Sequence, residues 1–190
     1  VYKDKFFIID FQNTLRAYSV KDGTEIWNIK TENTLIRSQK KLSMVIISEK
    51  IYFNNSVGDI TGVDIETGEL LWQIPTRSSL VYDEDFYLKT SDIIADKDTL
   101  YFSNNENQFF SIDINTGTLN WQQKVNSNLR PTLIDNYIFT VSLEGYLIII
   151  DKNSGSILRI TNIFKKFAKK KYEEDCRFFS RNWFSCKGSN

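Results

Sequence analysis

Gly62-Val63-Asp64-Ile65-Glu66-Thr67-Gly68-Glu69-Leu70-Leu71-Trp72 is the stretch on which the fold of this chain turns. Asp64 opens a turn, Gly68 closes it, and a short aliphatic run ends four residues later on a tryptophan. Outward from it the same spacing recurs from Ser111 to Trp121, with Asp113 and Gly117, and from Ala17 to Trp27, with Gly23 and with Ser19 in place of the aspartate. Ile149 to Arg159 keeps Asp151 and Gly155 but has a large residue at its start and arginine where tryptophan stands elsewhere. The glycines Gly23, Gly68, Gly117 and Gly155 each lie 18 residues after Lys5, Lys50, Thr99 and Tyr137, while the glycines themselves are 45, 49 and 38 apart. A fixed register within units of variable length is the mark of a repeat architecture.

Each unit reads as strands separated by turns. A short apolar run that alternates poorly, such as Met44-Val45-Ile46-Ile47 or Thr132-Leu133-Ile134, is expected to be a strand buried on both faces. After a polar turn comes an aromatic and β-branched run: Phe6-Phe7-Ile8, Ile51-Tyr52-Phe53, Leu100-Tyr101-Phe102 or Ile138-Phe139-Thr140. The next turn carries Asn13, Gly58, Asn107 or Gly145, residues that tolerate positive φ. A third strand leads into the Asp-to-Gly turn, and a fourth runs into the tryptophan. Four short antiparallel strands per unit describe an all-β fold, a β-propeller built of four-stranded blades. The blades are expected at 1–31 (partial, with only Val1-Tyr2 where a leading strand belongs), 32–76, 77–125 and 126–162.

Composition narrows the function classes. The chain has 190 residues, 41% apolar and 14% aromatic, which suits a packed globular protein. It contains no run of apolar residues long enough to span a bilayer as a helix, and no signal peptide is visible at Val1. Its net charge of zero hides an asymmetry: residues 1–162 carry 16 Lys/Arg against 21 Asp/Glu, and residues 163–190 carry 8 against 3. An acidic repeat body argues against nucleic acid as the partner of the blades. There is no histidine and no CxxC spacing, so His-based triads, His metal ligands and haem attachment are excluded together.

The Gly62–Trp72 stretch and its copies closely resemble the tryptophan-docking repeat of the PQQ-like (pyrroloquinoline-quinone-type) propellers: a small residue, Asp two later, Gly four further, Trp four further. The resemblance covers roughly residues 1–162 and implies a propeller of about seven or eight blades, of which this chain supplies three to four. It also implies that Trp27, Trp72 and Trp121 are structural clasps between neighbouring blades and that no catalytic residue, cofactor site or metal site need be sought among them. The physical reading agrees, since an indole buries on the order of 200 Å² and needs a small neighbour to approach a backbone closely. Asp64, Asp113 and Asp151 are expected to accept hydrogen bonds within their turns, and their recurrence from blade to blade speaks against a catalytic part for any one of them.

Within this family the chain is most similar to the BamB type, the propeller subunit of the outer-membrane β-barrel assembly machinery. That resemblance implies a non-catalytic scaffold for protein partners, on the periplasmic face of the outer membrane, held by a lipid anchor outside this sequence. The alternatives are a piece of a PQQ-dependent alcohol or sugar dehydrogenase, which would bring PQQ and calcium, or a sensor-type propeller domain. The dehydrogenases often carry adjacent cysteines, and Cys176 and Cys186 are not adjacent. Compact spacing between units favours the scaffold over the enzymes, which carry long insertions.

Two segments depart from the repeat. Residues 77–90 lengthen the third unit, and Tyr82, Asp83, Glu84, Asp85, Phe86 and Tyr87 within them form a candidate partner-binding loop, with an inert elaboration as the alternative. Residues 163–190 leave the pattern for a basic run and scattered aromatics, which reads as an irregular tail or a shifted frame at the end of a partial sequence, with a basic-aromatic element for nucleic acid or a membrane surface as the alternative. Cys176 and Cys186 could pair if oxidised, but one pair fixes no compartment. The expectation is therefore a fragment of a longer propeller, with ring closure by dimerisation as the alternative.

Overall fold

The computed structural model describes residues 1–10, 12–31, 42–56, 58–76, 90–104 and 106–165. Their fifteen strands fall into four antiparallel sheets, each a meander in which sequence neighbours are also spatial neighbours. The first sheet holds β1 (Lys5–Ile9), β2 (Thr14–Ser19) and β3 (Glu25–Lys30); in place of an innermost strand it has a single bridge from Tyr2 to Lys5. The second holds β4 (Met44–Ile47), β5 (Lys50–Asn54), β6 (Ile60–Asp64) and β7 (Leu70–Ile74). The third holds β8 (Ile94–Asp96), β9 (Thr99–Ser103), β10 (Gln108–Asp113) and β11 (Leu119–Lys124), and the fourth β12 (Thr132–Ile134), β13 (Tyr137–Val141), β14 (Tyr146–Asp151) and β15 (Ile157–Asn162). This is an all-β arrangement of propeller blades, and among the described residues no helix is long and apolar enough to cross a membrane.

The core is divided among the gaps between sheets. Leu15 of the first sheet meets Ile51, Phe53, Val63 and Ile65 of the second. Tyr52 and Ile60 from the other face of the second sheet meet Leu100, Phe102, Phe110 and Ile112 of the third. Ile94, Tyr101 and Phe109 of the third meet Ile138, Ile148 and Ile150 of the fourth. Alternating side chains thus serve two neighbours, which is why β5 and β9 are buried almost throughout.

The innermost strands differ from the sequence expectation. β4 is only half-buried, and β12, in the last of the described sheets and packed against one neighbouring sheet, is largely exposed. The continuous apolar character of β4 serves two cores, Met44 and Ile46 on one side and Val45 and Ile47 on the other, while β12 contributes only Leu133. Each third-to-fourth strand pair has its register shifted at one equivalent place: after Ala17, Gly62, Ser111 and Ile149. The bulge follows the residue that faces the docking position, and so aims the side chain found there.

Candidate functional site

The repeated motif residues assemble into clasps that join one sheet to the next. Gly62 lies opposite Trp72 in register, as Ala17 lies opposite Trp27 and Ser111 opposite Trp121. A Cβ on Gly62 would come within 2.9 Å of the Trp72 ring, so the small residue is the bed of the indole in its own sheet. Tyr52 stacks on Trp72 with ring centroids 5.4 Å apart, and Phe109 on Trp121 at 6.1 Å.

The far side of each indole rests on the glycine turn of the following sheet. A Cβ on Gly68 would meet Trp27 at 2.6 Å, one on Gly117 would meet Trp72 at 3.0 Å, and one on Gly155 would meet Trp121 at 2.5 Å. These glycines also hold φ of 72 to 74°, so each is required twice, by the backbone and by its neighbour's ring. The indole N–H completes the clasp across the gap: Trp27 donates to the Ile65 carbonyl at 3.2 Å, Trp72 to Ile114 at 2.9 Å and Trp121 to Lys152 at 3.0 Å. The Tyr52 hydroxyl donates to the same Ile114 carbonyl, and burial, aided by the nearby Asp113 charge, pushes its pKa up to about 12.

The aspartates belong to the same turns. Asp64 accepts the backbone N–H of Glu66 and Thr67 and the Thr67 hydroxyl, and Asp113 and Asp151 repeat the pattern with Asn115 and Thr116 and with Asn153 and Ser154. Backbone N–H groups, led by those of Thr67, Thr116 and Ser154, hold all three carboxyls below the usual range. In the first sheet Ser19 accepts from Lys21 N–H, while Asp22 binds the Thr24 N–H and hydroxyl, so the acid has moved by three positions. Lysines add further ties at this end of the sheets: Lys5 to Glu66 at 2.7 Å and Lys152 to Asp96 at 2.6 Å.

A second set of turn residues, at the opposite end, was not singled out from the sequence. Asp10 Oδ1 accepts from Gln12 and Thr14 N–H, Asn55 Oδ1 from Asp59 N–H, Asn104 Oδ1 from Glu106 and Gln108 N–H, and Ser142 Oγ from Tyr146 N–H. The signal was present: each lies three residues before Asn13, Gly58, Asn107 or Gly145, all of which take positive φ. This end also receives the connections between sheets. Thr76 donates to the Gly58 carbonyl and its own carbonyl accepts from Asn104, while Thr90 is bonded to Asn54, so both feet of the 77–89 connection are buried and pinned. The candidate loop Tyr82–Tyr87 itself lies outside the described residues, as do residues 166–190 with Cys176 and Cys186.

On the axis, near that same end, a pocket of about 380 Å³ is lined by Phe7, Ser43, Met44, Asp92, Ile93 and Arg130. Asp92 is its one carboxylate, short of the roughly six to eight oxygens that calcium takes. Among the described residues no group of three or more Asp, Glu or Cys is gathered closely enough to hold a metal ion.

Comparison with known proteins follows the same lines. Residues 1–161 match the family described as outer membrane protein assembly factor BamB. BamB from Moraxella catarrhalis superposes with a TM-score of 0.64 at 20% identity, covering 84% of this chain and 50% of that one. A europium-containing methanol dehydrogenase superposes with 0.68 at 14% identity, covering 86% and 40%. A quinohemoprotein alcohol dehydrogenase from Pseudomonas putida HK5 gives 0.63 at 15% identity, covering 86% and 34%. The chain therefore spans half or less of the length of these structures, and at such identities they share the fold alone. No curated protein matches the sequence.

Proposed function

Because the chain belongs to the family of the outer membrane protein assembly factor BamB, we propose that it is part of a non-catalytic scaffold propeller that holds protein partners during outer-membrane protein assembly. The observation that carries this reading is the use already made of the repeated polar residues. Asp64, Asp113 and Asp151 are each committed to three turn hydrogen bonds, and Trp27, Trp72 and Trp121 to inter-sheet clasps. The repeat thus supplies rigidity and leaves recognition to the connections at the sheet ends. The 77–89 connection, with its feet anchored at Thr76 and Thr90, is the proposed partner-binding element. It requires neither cofactor nor metal, and the location that fits this reading is the periplasmic face of the outer membrane.

A second reading is supported by the two dehydrogenases of the same fold: a piece of a PQQ-dependent alcohol dehydrogenase with calcium. One experiment separates them. The protein, with whatever sequence flanks it in the cell, is incubated with PQQ and Ca²⁺ and assayed for quinone absorbance and dye-linked alcohol oxidation. In parallel it is tested for co-purification with the assembly machinery, using a Tyr82→Ala/Phe86→Ala variant as control. Scaffolding predicts no turnover and retention that the variant loses; dye reduction at any alcohol concentration overturns it.

A further inference from the structure

The four sheets share one register, so each serves as a control for the others, and the groove between the third and fourth sheets departs from the rest. Ile160 lies opposite Ile148, whereas Asn28, Gln73 and Gln122 hold the same register position in the first three sheets. Tyr146 lies opposite Asn162, where the first and third sheets have Thr14 and Gln108. Ile148 belongs to the core shared with the third sheet, and alternation along the strands puts Ile160 and Tyr146 on that same face. They are nonetheless 57% and 38% exposed. The third sheet supplies the other wall, with Lys124, Val125 and Asn126, and the cavity between the walls measures about 450 Å³.

The outer edge of β15 borders this groove. β15 ends its sheet, so its outward N–H and C=O groups have no neighbouring strand among the described residues. The outermost strands of the other sheets have blunted edges: β3 carries Glu25 and Lys30, β11 carries Lys124, and β7 runs into Pro75. In β15 the only charge is Arg159, which points to the face away from Ile160. Lys124 is exposed and forms no ion pair among the described residues. Glu144, which also lines the cavity, accepts from the Asn126 side-chain amide at 2.7 Å.

We propose that this groove binds an extended segment of a partner protein. The segment pairs with β15 as a fifth strand of the fourth sheet, sets alternate apolar side chains beside Ile160 and Tyr146, and brings a carboxylate to Lys124. Each part of that description answers one observation. A free backbone edge is satisfied by another backbone. An apolar wall on one face calls for apolar side chains at every second position, and an unpaired cation beside it calls for an acid. The groove lies apart from the 77–89 connection, and its occupancy does not depend on the scaffold reading.

The test titrates the 190-residue chain, labelled at its isoleucine methyls, with a short peptide of alternating valine and threonine that ends in glutamate. Shifts in the NMR signals of Ile148, Ile157 and Ile160 are expected. Ile160→Gln, at an exposed site, restores the amide of the other sheets and is expected to weaken binding about tenfold with an unchanged circular dichroism spectrum. Lys124→Glu is expected to weaken it about two- to fivefold, the range of an exposed ion pair, and to favour a peptide ending in lysine instead. The same peptide N-methylated at alternate amides, which cannot pair with a strand edge, is expected not to bind the unaltered chain. Silence of the Ile160 signal, equal binding by Ile160→Gln, or equal binding of the methylated peptide overturns the proposal. So does equal affinity for an alkyl chain without peptide bonds, or the same shifts on concentrating the chain alone, which would make a second copy the occupant.

Discussion

The junction between the second and third sheets and the outward face of the fourth sheet are built on the same register, yet only the first is locked. At the junction Trp72 lies between Gly62 and Tyr52 of its own sheet and Gly117 of the next. On the fourth sheet the equivalent residues are Arg159, Ile149 and Phe139. The indole and its bed have been replaced together, which teaches that the clasp is one device in several parts. A ring that thick needs a small bed, Gly62 here and Ala17 or Ser111 in the other clasps; where the ring is gone, the bed is isoleucine.

The largest effect should come from Trp72→Ala, which removes the stack, the packing on Gly117 and the hydrogen bond to Ile114 at once. A loss of about 3 kcal/mol in urea unfolding is expected, and a loss below about 1 kcal/mol would mean that the clasp is not what joins these sheets. Next comes Gly155→Val, which forces a β-branched residue to φ of 72° and drives its Cβ into the Trp121 ring. Its expected cost is about 2 kcal/mol, with the Trp121 fluorescence shifted as the indole is pushed towards water. Gly23→Val meets the same φ but no ring, so it should cost less than Gly155→Val; equal costs would show that backbone strain alone sets the requirement.

A smaller effect concerns pH. Asp64, Asp113 and Asp151 have folded-state pKa values lowered from 3.8. Their contribution to stability is therefore complete above that value and is lost as pH falls through the folded values. Urea midpoints should drop below about pH 4, and the Asp64→Asn/Asp113→Asn/Asp151→Asn variant should show a flatter acid limb; an identical limb would sink the assignment. Smallest of all, Arg159→Ala should leave the urea midpoint unchanged, in contrast to Trp72→Ala at the same register position.

Much of this was legible in the residues. The Asp-to-Gly turn and the tryptophan four residues beyond it recur at constant spacing, and turn chemistry acts over three to five residues, so the pattern survives in a linear reading. The second set, Asp10, Asn55, Asn104 and Ser142, was just as regular in position but varied in residue type. Asp, Asn and Ser can each accept the same backbone N–H groups, and that chemical equivalence hid it. The innermost strands were misjudged for another reason. Continuous apolar character looks the same whether a strand is fully covered, half-buried between two cores like β4, or covered on one side like β12.

By itself, then, the sequence determined the all-β repeat, the turns, and which residues recur, because those depend on local backbone chemistry. Which glycine serves which tryptophan was decided only by tertiary structure. Trp27 reaches the carbonyl of Ile65, 38 positions away and in another sheet. No local preference encodes that pairing. It follows from stacking twisted sheets face to face, which brings each indole over the turn of the next unit instead of its own.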